Sequence, residues 1–144
     1  MENKRAQMKL SFGMIFSIIL IIAFIVLAFY GIQKFLGFSE TAEIGIFQKA
    51  LQTDITGVWQ STQANQRVEY FLPSKIKYIC IINGDYENLI YKSDKFIPGY
   101  TLNHVDLLET VGTGDEFCLE NINGKVKMIL QKDYSENLIT IVRQ

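Results

Sequence analysis

The side chains of this sequence best suited to chemistry are its two cysteines, Cys80 and Cys118, which lie in stretches rich in β-branched and aromatic residues. Outside the cytoplasm such a pair commonly forms a disulfide. A bridge would close a loop of roughly 40 residues, which the chain-entropy model values at about 4 kcal/mol. Strand alternation, however, places Cys118 on the same face as Glu116 and Glu120, so the two sulfurs need not meet. A Cys80–Cys118 disulfide and two buried free thiols therefore both stay open.

Other patterns that could carry chemistry are incomplete. The single histidine, His104, has Asp106 two residues on, but a catalytic pair also needs a nucleophile within hydrogen-bond reach. The stretch GTGD at 112–115 lacks the lysine of a P-loop and precedes a strand, so it is interpreted as a loop. Two distant cysteines and one histidine do not match a metal-ligand spacing. We therefore predict no catalytic residue, no metal and no cofactor, and a protein that is not an enzyme.

The residues that could hold these side chains in place form a β-rich region over 63–144. Apolar residues alternate in short runs that are separated by turn residues, which is typical of strands. The strands are predicted over 68–72, 76–82, 89–91, 116–122, 125–131 and 138–142. Asn123 and Gly124 favour a type I′ turn, so 116–122 and 125–131 are predicted to form a hairpin. Residues 103–111 are predicted to form one or two helical turns.

A helix with one apolar face is predicted over 37–62. Its apolar side chains recur at three- and four-residue steps, and they are Ile44, Phe47, Leu51, Ile55 and Val58. Ser39 is a suitable N-cap for a second helix, which is either continuous with the preceding segment or kinked near Gly37. We expect the apolar stripe to pack on the β-rich domain, with Trp59 covering the end of the core.

Residues 10–33 form a run without any acidic, basic or histidine side chain. As a helix this run would be roughly 36 Å long, which exceeds a hydrocarbon core of about 30 Å. A single apolar segment can satisfy its backbone polar groups in lipid only as a helix. We therefore predict a transmembrane helix over 10–36, with the lipid bilayer as its partner. Because the run lacks an ionisable group, a transport role is disfavoured.

The flanking charges predict an orientation. Lys4, Arg5 and Lys9 precede the apolar run, and the positive-inside rule keeps such a flank in the cytoplasm. Residues 1–9 are therefore predicted to be cytoplasmic and 63–144 extracytoplasmic, in a cell-membrane protein that spans once. The run is too long for a signal-peptide h-region and no A-x-A pattern follows it, so it is predicted to stay as an anchor. Gly13 and Ser17 form a small-xxx-small pair through which a second helix could pack.

Size and charge exclude several classes. The chain has 144 residues, which is enough for one small domain and an appendage. Its 14 basic and 15 acidic side chains give a formal net charge of -1. Such a chain has no global basic field, so nucleic acid is not expected as a partner.

The junction sequence KRAQMKLSF at 4–12 combines a basic head, a small residue, a glutamine and the start of an apolar helix. This order resembles the signal region of archaeal type IV pilin-like proteins, and the chain is also similar to small archaeal single-pass membrane proteins. The pilin resemblance implies a cut by a prepilin peptidase between Ala6 and Gln7, after which the apolar helix packs in the core of a filament. Ser11 stands where that family usually has a glutamate. An ordinary N-terminal anchor is the alternative.

Together these patterns predict an α+β protein, with an N-terminal transmembrane helix, an amphipathic helix and a small antiparallel β-sheet domain. The function expected is structural or based on protein interaction, with copies of the chain or other membrane and surface proteins as partners. In its more specific form the chain is a pilin-like filament subunit. The alternative is an ectodomain that binds a ligand or a membrane-complex partner without catalysis.

Overall fold

The computed structural model describes the backbone over residues 4–144 and the side chains from residue 12 onward. The chain divides into two compact units, Met1–Glu40 and Thr41–Gln144. One α-helix, α1 (Lys4–Gln60), contains both Gly37 and Ser39. Of the two alternatives, the structure has the helix that is continuous with the preceding segment, and Ser39 is not an N-cap. One glycine inside a helix costs about 1 kcal/mol relative to alanine, which is too little to end a helix with apolar turns on both sides.

In the first unit the side chains of residues 12–38 are all exposed, although most of them are apolar. The large apolar side chains occur on every face of α1, so this part of the helix has no polar side to turn toward water. Among the described residues, one helix is long and apolar enough to cross a membrane, and its candidate span is Phe12–Gln60.

The second unit holds the end of α1, a short helix and two antiparallel sheets of three strands. The strands between residues 4 and 144 are β1 (Ala64–Phe71), β2 (Ile76–Ile82), β3 (Leu89–Ser93), β4 (Glu116–Glu120), β5 (Lys125–Lys132) and β6 (Thr140–Arg143). The short helix is α2 (Leu107–Val111). One sheet has the order β1-β5-β6 and the other the order β3-β2-β4. The α+β class is thus confirmed.

The turn between β4 and β5 forms as predicted, but the hairpin does not. Asn123 and Gly124 have φ values of 54° and 79°, and Ile122 and Lys125 exchange backbone hydrogen bonds around them. Beyond this one pair the strands separate, because β4 joins β2 whereas β5 joins β1 and β6. Asn121 explains the separation, since its backbone N–H and side-chain amide donate to carbonyls around the start of β2. The predicted hairpin ladder is therefore wrong.

One hydrophobic core joins α1 to both sheets. The helix contributes Phe47, Leu51, Ile55 and Val58, and two of these, Leu51 and Ile55, are 0% exposed. Burial of each such side chain stabilises the unit by about 2 kcal/mol. Trp59 packs against the same core. This packing agrees with the apolar stripe read from the sequence.

Candidate functional site

Cys80 and Cys118 form a disulfide between the central strand β2 and the edge strand β4. The two residues are direct partners in the antiparallel ladder, and their Cα atoms lie 4.0 Å apart. Of the two alternatives that the sequence leaves open, the structure has the disulfide. Glu116 and Glu120 do share a face of β4 with Cys118, but paired strands present their same-face side chains to each other, so the sulfurs meet.

The ladder directs the backbone of Cys118 away from β2. The N–H of Ile82 donates to the carbonyl of Asn88, on the β3 side, at 2.9 Å. Along a central strand, successive residues direct their backbone N–H and carbonyl groups to alternate sides. The backbone groups of Cys80 therefore also point toward β3. Cys118, which lies opposite Cys80 on β4, directs its N–H and carbonyl away from β2. Arg143 confirms this direction, because its guanidinium donates to the Cys118 carbonyl at 3.0 Å.

The two sulfur-bearing side chains differ in their access to solvent. Cys80 is 0% exposed. Cys118 is half-buried and lines a cavity of about 720 Å³. The cavity is open to solvent, and its other polar walls include Tyr78, Glu120, Lys127 and Arg143. Of the two cysteines, Cys118 is therefore the one that borders solvent.

The carboxylate of Glu116 lies beside the disulfide and forms a cluster with the two sulfurs. A carboxylate oxygen of Glu116 and the two sulfurs all lie within 4.8 Å of one another. Glu116 also forms an ion pair with Lys92 on β3. Two thiolates and a carboxylate can bind a metal, but both sulfurs are engaged in the covalent bond, so the oxidised cluster offers no thiolate to a metal. The alternation pattern already placed Glu116 beside Cys118 in the sequence.

A buried amide fixes the loop that follows β3. Asn88 is 5% exposed and makes two hydrogen bonds with the backbone of Leu102: its Oδ1 accepts from the N–H at 2.7 Å and its Nδ2 donates to the carbonyl at 2.8 Å. Gln52 of α1 makes the same paired contact with the backbone of Asn103, at 2.9 and 3.4 Å. Nothing in the local sequence distinguishes either amide from an exposed one, so neither could be predicted.

The C-terminal end of α1 is closed by a lysine from the sheet. Lys132 of β5 donates to the carbonyls of Trp59 and Ser61. A cation at this position satisfies carbonyls that have no partner within the helix and complements the helix dipole. The indole N–H of Trp59 donates to the carbonyl of Asn137 at 2.9 Å, and its ring stacks on His104 with centroids 3.8 Å apart.

Two tyrosines hold α1 against the sheets. Tyr70 donates to Asp54 at 2.6 Å, and burial together with this bond raises the pKa of Tyr70 well above its usual range. The hydroxyl of Tyr91 accepts from Gln48 at 3.0 Å, and burial raises the pKa of Tyr91 to about 12. Both hydroxyls are therefore neutral at physiological pH.

The remaining candidate residues of the sequence analysis are separate from the disulfide. His104 is half-buried against Trp59 and has a positive φ of 65°, as a turn residue would. Residues 112–115 form the turn after α2, in agreement with the loop interpretation. In α1, the Ser17 hydroxyl donates to the Gly13 carbonyl at 2.8 Å, so this serine needs no partner helix for its hydrogen bond. Ala6 and Gln7 lie outside the residues whose side chains are described, and cleavage between them stays a prediction.

Comparison of the chain with protein-family models, with curated proteins and with solved structures finds no match to any of them.

Proposed function

We propose that this chain is a single-pass membrane-anchored protein with a structural or protein-interaction role at the cell surface. One observation carries the proposal: the apolar side chains of residues 12–38 are exposed on every face of α1. The later part of the same helix buries one face in a protein core, whereas the earlier part has no such core around it. Hydrocarbon is the solvent that suits a helix apolar on all sides.

Polar details of this helix support the same environment. The Ser17 hydroxyl bonds to a carbonyl of its own helix, which removes an unsatisfied donor from lipid. Lys34, the first charge after the apolar run, lies with its ammonium 5.7 Å from the ring centre of Tyr30. Tyrosine and lysine near the end of an apolar helix suit the lipid–water boundary, where the ring and the ammonium can both contact headgroups.

The orientation belongs to the proposal as well. The basic residues 4–9 would remain in the cytoplasm, and the unit over 41–144 would lie outside the cell membrane. A disulfide between Cys80 and Cys118 suits an oxidising compartment, which supports this orientation.

Extraction and protease access test the anchor and its orientation. The full chain, expressed in cells, should remain in the membrane pellet after alkaline carbonate and dissolve only in detergent. Protease added to intact cells should digest the unit over 41–144. A chain that is soluble without detergent would refute the anchor, and a domain that is digested only after lysis would refute the orientation.

In its more specific form, the chain is a pilin-like subunit that is cut between Ala6 and Gln7 and packs through its apolar helix with copies of itself. Sequencing of the N-terminus of membrane-extracted protein should then begin at Gln7, and electron microscopy should show filaments. An uncut N-terminus together with an absence of filaments would leave the plain anchor as the correct version.

A second candidate is an ectodomain that binds a ligand or a membrane partner, and the cavity beside Cys118 favours it. A cavity of about 720 Å³ is within the size range of small-molecule and peptide sites, and it is lined by Lys125, Lys127 and Arg143 against one glutamate, Glu120. Purification in mild detergent should then recover a mixed assembly, whereas a structural subunit should recover only copies of itself.

A further inference from the structure

We propose that the Cys80–Cys118 disulfide is a reversible site of thiol–disulfide exchange with a dithiol reductant, that attack occurs at Cys118, and that Glu116 slows it. The proposal concerns chemistry within the second unit and goes beyond an anchoring or interaction role. It can fail or succeed whether or not α1 spans a membrane.

Access determines which sulfur is attacked. Cys80 lies on the central strand β2 and is enclosed, with 0% of its surface exposed. Cys118 belongs to the edge strand and borders the solvent-filled cavity. Exchange requires a thiolate to approach one sulfur directly, so the path through the cavity leads to the Sγ of Cys118.

The exchange proceeds in two steps. A thiolate of the dithiol attacks the Sγ of Cys118, a new S–S bond forms, and the bond between the two cysteines breaks with its electron pair leaving on the Sγ of Cys80. That thiolate takes a proton from solvent. The second thiol of the reductant, deprotonated in turn, then attacks its own mixed-disulfide sulfur and expels the thiolate of Cys118, which is also protonated. The reductant is oxidised to a disulfide and both cysteines become thiols, with two electrons transferred.

The charge of Glu116 affects the rate of this exchange. Each step brings a negative sulfur into the cluster or creates one there, and the carboxylate of Glu116 lies within 4.8 Å of both protein sulfurs. Like charges at this separation repel even in a water-like dielectric, by an amount that corresponds to a roughly four-fold change in rate. The ion pair with Lys92 holds the carboxylate in place on this face of the sheet.

A matched pair of variants isolates this effect. Glu116 belongs to the cluster with both sulfurs, whereas Glu109 of α2 is exposed and belongs neither to that cluster nor to the cavity beside Cys118. Glu116→Gln removes the charge with little change in shape. Glu109→Gln removes a carboxylate of the same type away from the disulfide and serves as the control.

The rate of reduction is measured on the full chain in detergent micelles, with dithiothreitol as the dithiol and a metal chelator present. Aliquots are quenched with an alkylating reagent and weighed by mass spectrometry, while Trp59 fluorescence checks that the domain stays folded. We expect Glu116→Gln to be reduced about four-fold faster than the unmodified chain, and Glu109→Gln within two-fold of it. The gain should shrink at 1 M salt, where screening extends over only about 3 Å. Equal rates for the two variants, or a gain that salt leaves unchanged, would overturn the role of Glu116.

The position of attack is tested separately on the unmodified chain. A monothiol, glutathione, is added briefly, the mixture is quenched with an alkylating reagent in denaturant, and the peptides are mapped. Glutathione on Cys118 with an alkylated Cys80 supports the proposal. Glutathione on Cys80 overturns it, and so does a disulfide that resists both reductants in the folded state.

Discussion

Asn88 should contribute more to the stability of the second unit than Asn137, which has the same neighbours in sequence. Its side chain pairs with both polar backbone groups of Leu102 in a buried site. Asn88→Ala would leave a buried N–H and a buried carbonyl without partners, at about 1–3 kcal/mol each. We therefore expect the free energy of unfolding to fall by about 3 kcal/mol, and the melting temperature of this unit of about 100 residues to fall by about 12 °C or more.

The chain supplies its own control for this prediction. The tetrapeptide Glu-Asn-Leu-Ile occurs at 87–90 and again at 136–139, where Asn137 is exposed. Asn137→Ala should change the free energy of unfolding by less than about 0.5 kcal/mol. Urea titration of the full chain in micelles, followed by the fluorescence of Trp59, measures both variants. If the two substitutions destabilise the unit equally, the paired contact with Leu102 is not the cause.

Three further predictions concern the packing of α1 and its surroundings, and each is measured by equilibrium unfolding of the full chain. Leu51→Ala should destabilise the second unit by about 3 kcal/mol, because it empties a fully buried site, whereas exposed Ile46→Ala should change the free energy by less than about 0.5 kcal/mol; similar losses would contradict the packing of this helix. Burial raises the pKa of Tyr91 to about 12, so the stability gained by keeping it neutral is complete below pH 10 and is lost as the pH rises through 12. Tyr91→Phe should accordingly lose less stability than the unmodified chain between pH 10 and pH 12, and parallel alkaline curves would argue against this cause. Lys132→Met should cost about 1–2 kcal/mol because the last carbonyls of α1 lose their donor, while exposed Lys95→Met should be neutral; a neutral result for both would show that water replaces the cap.

Much of the secondary structure could be predicted from local patterns. The apolar stripe of α1 and the alternating strands each bury a continuous face, and this periodicity can be recognised in the sequence. The turn at Asn123-Gly124 was equally accessible, because both residues tolerate a positive φ. The role of Ser39 could not be decided locally, since a serine that suits an N-cap is also tolerated inside a long helix.

The arrangement of the strands and the polar contacts of the site could not be read in the same way. The division into two sheets depends on Asn121, which reaches carbonyls that are distant in sequence. Asn88 and Asn137 have identical neighbours, yet one is a buried clamp and the other is exposed. Only the path of the whole chain determines which of them meets Leu102. The pairing of Cys80 with Cys118 likewise required the register between β2 and β4.

Because β4 is an edge strand of its sheet, its outward backbone groups affect how two molecules can associate. A row of outward backbone groups invites the same strand of a second molecule to pair with it. If two copies paired in antiparallel fashion about Cys118, Glu116 of each would stand directly opposite Glu120 of the other. Two pairs of facing carboxylates repel, and such repulsion destabilises a strand pair. The acidic residues on either side of the disulfide therefore disfavour this antiparallel pairing of two molecules.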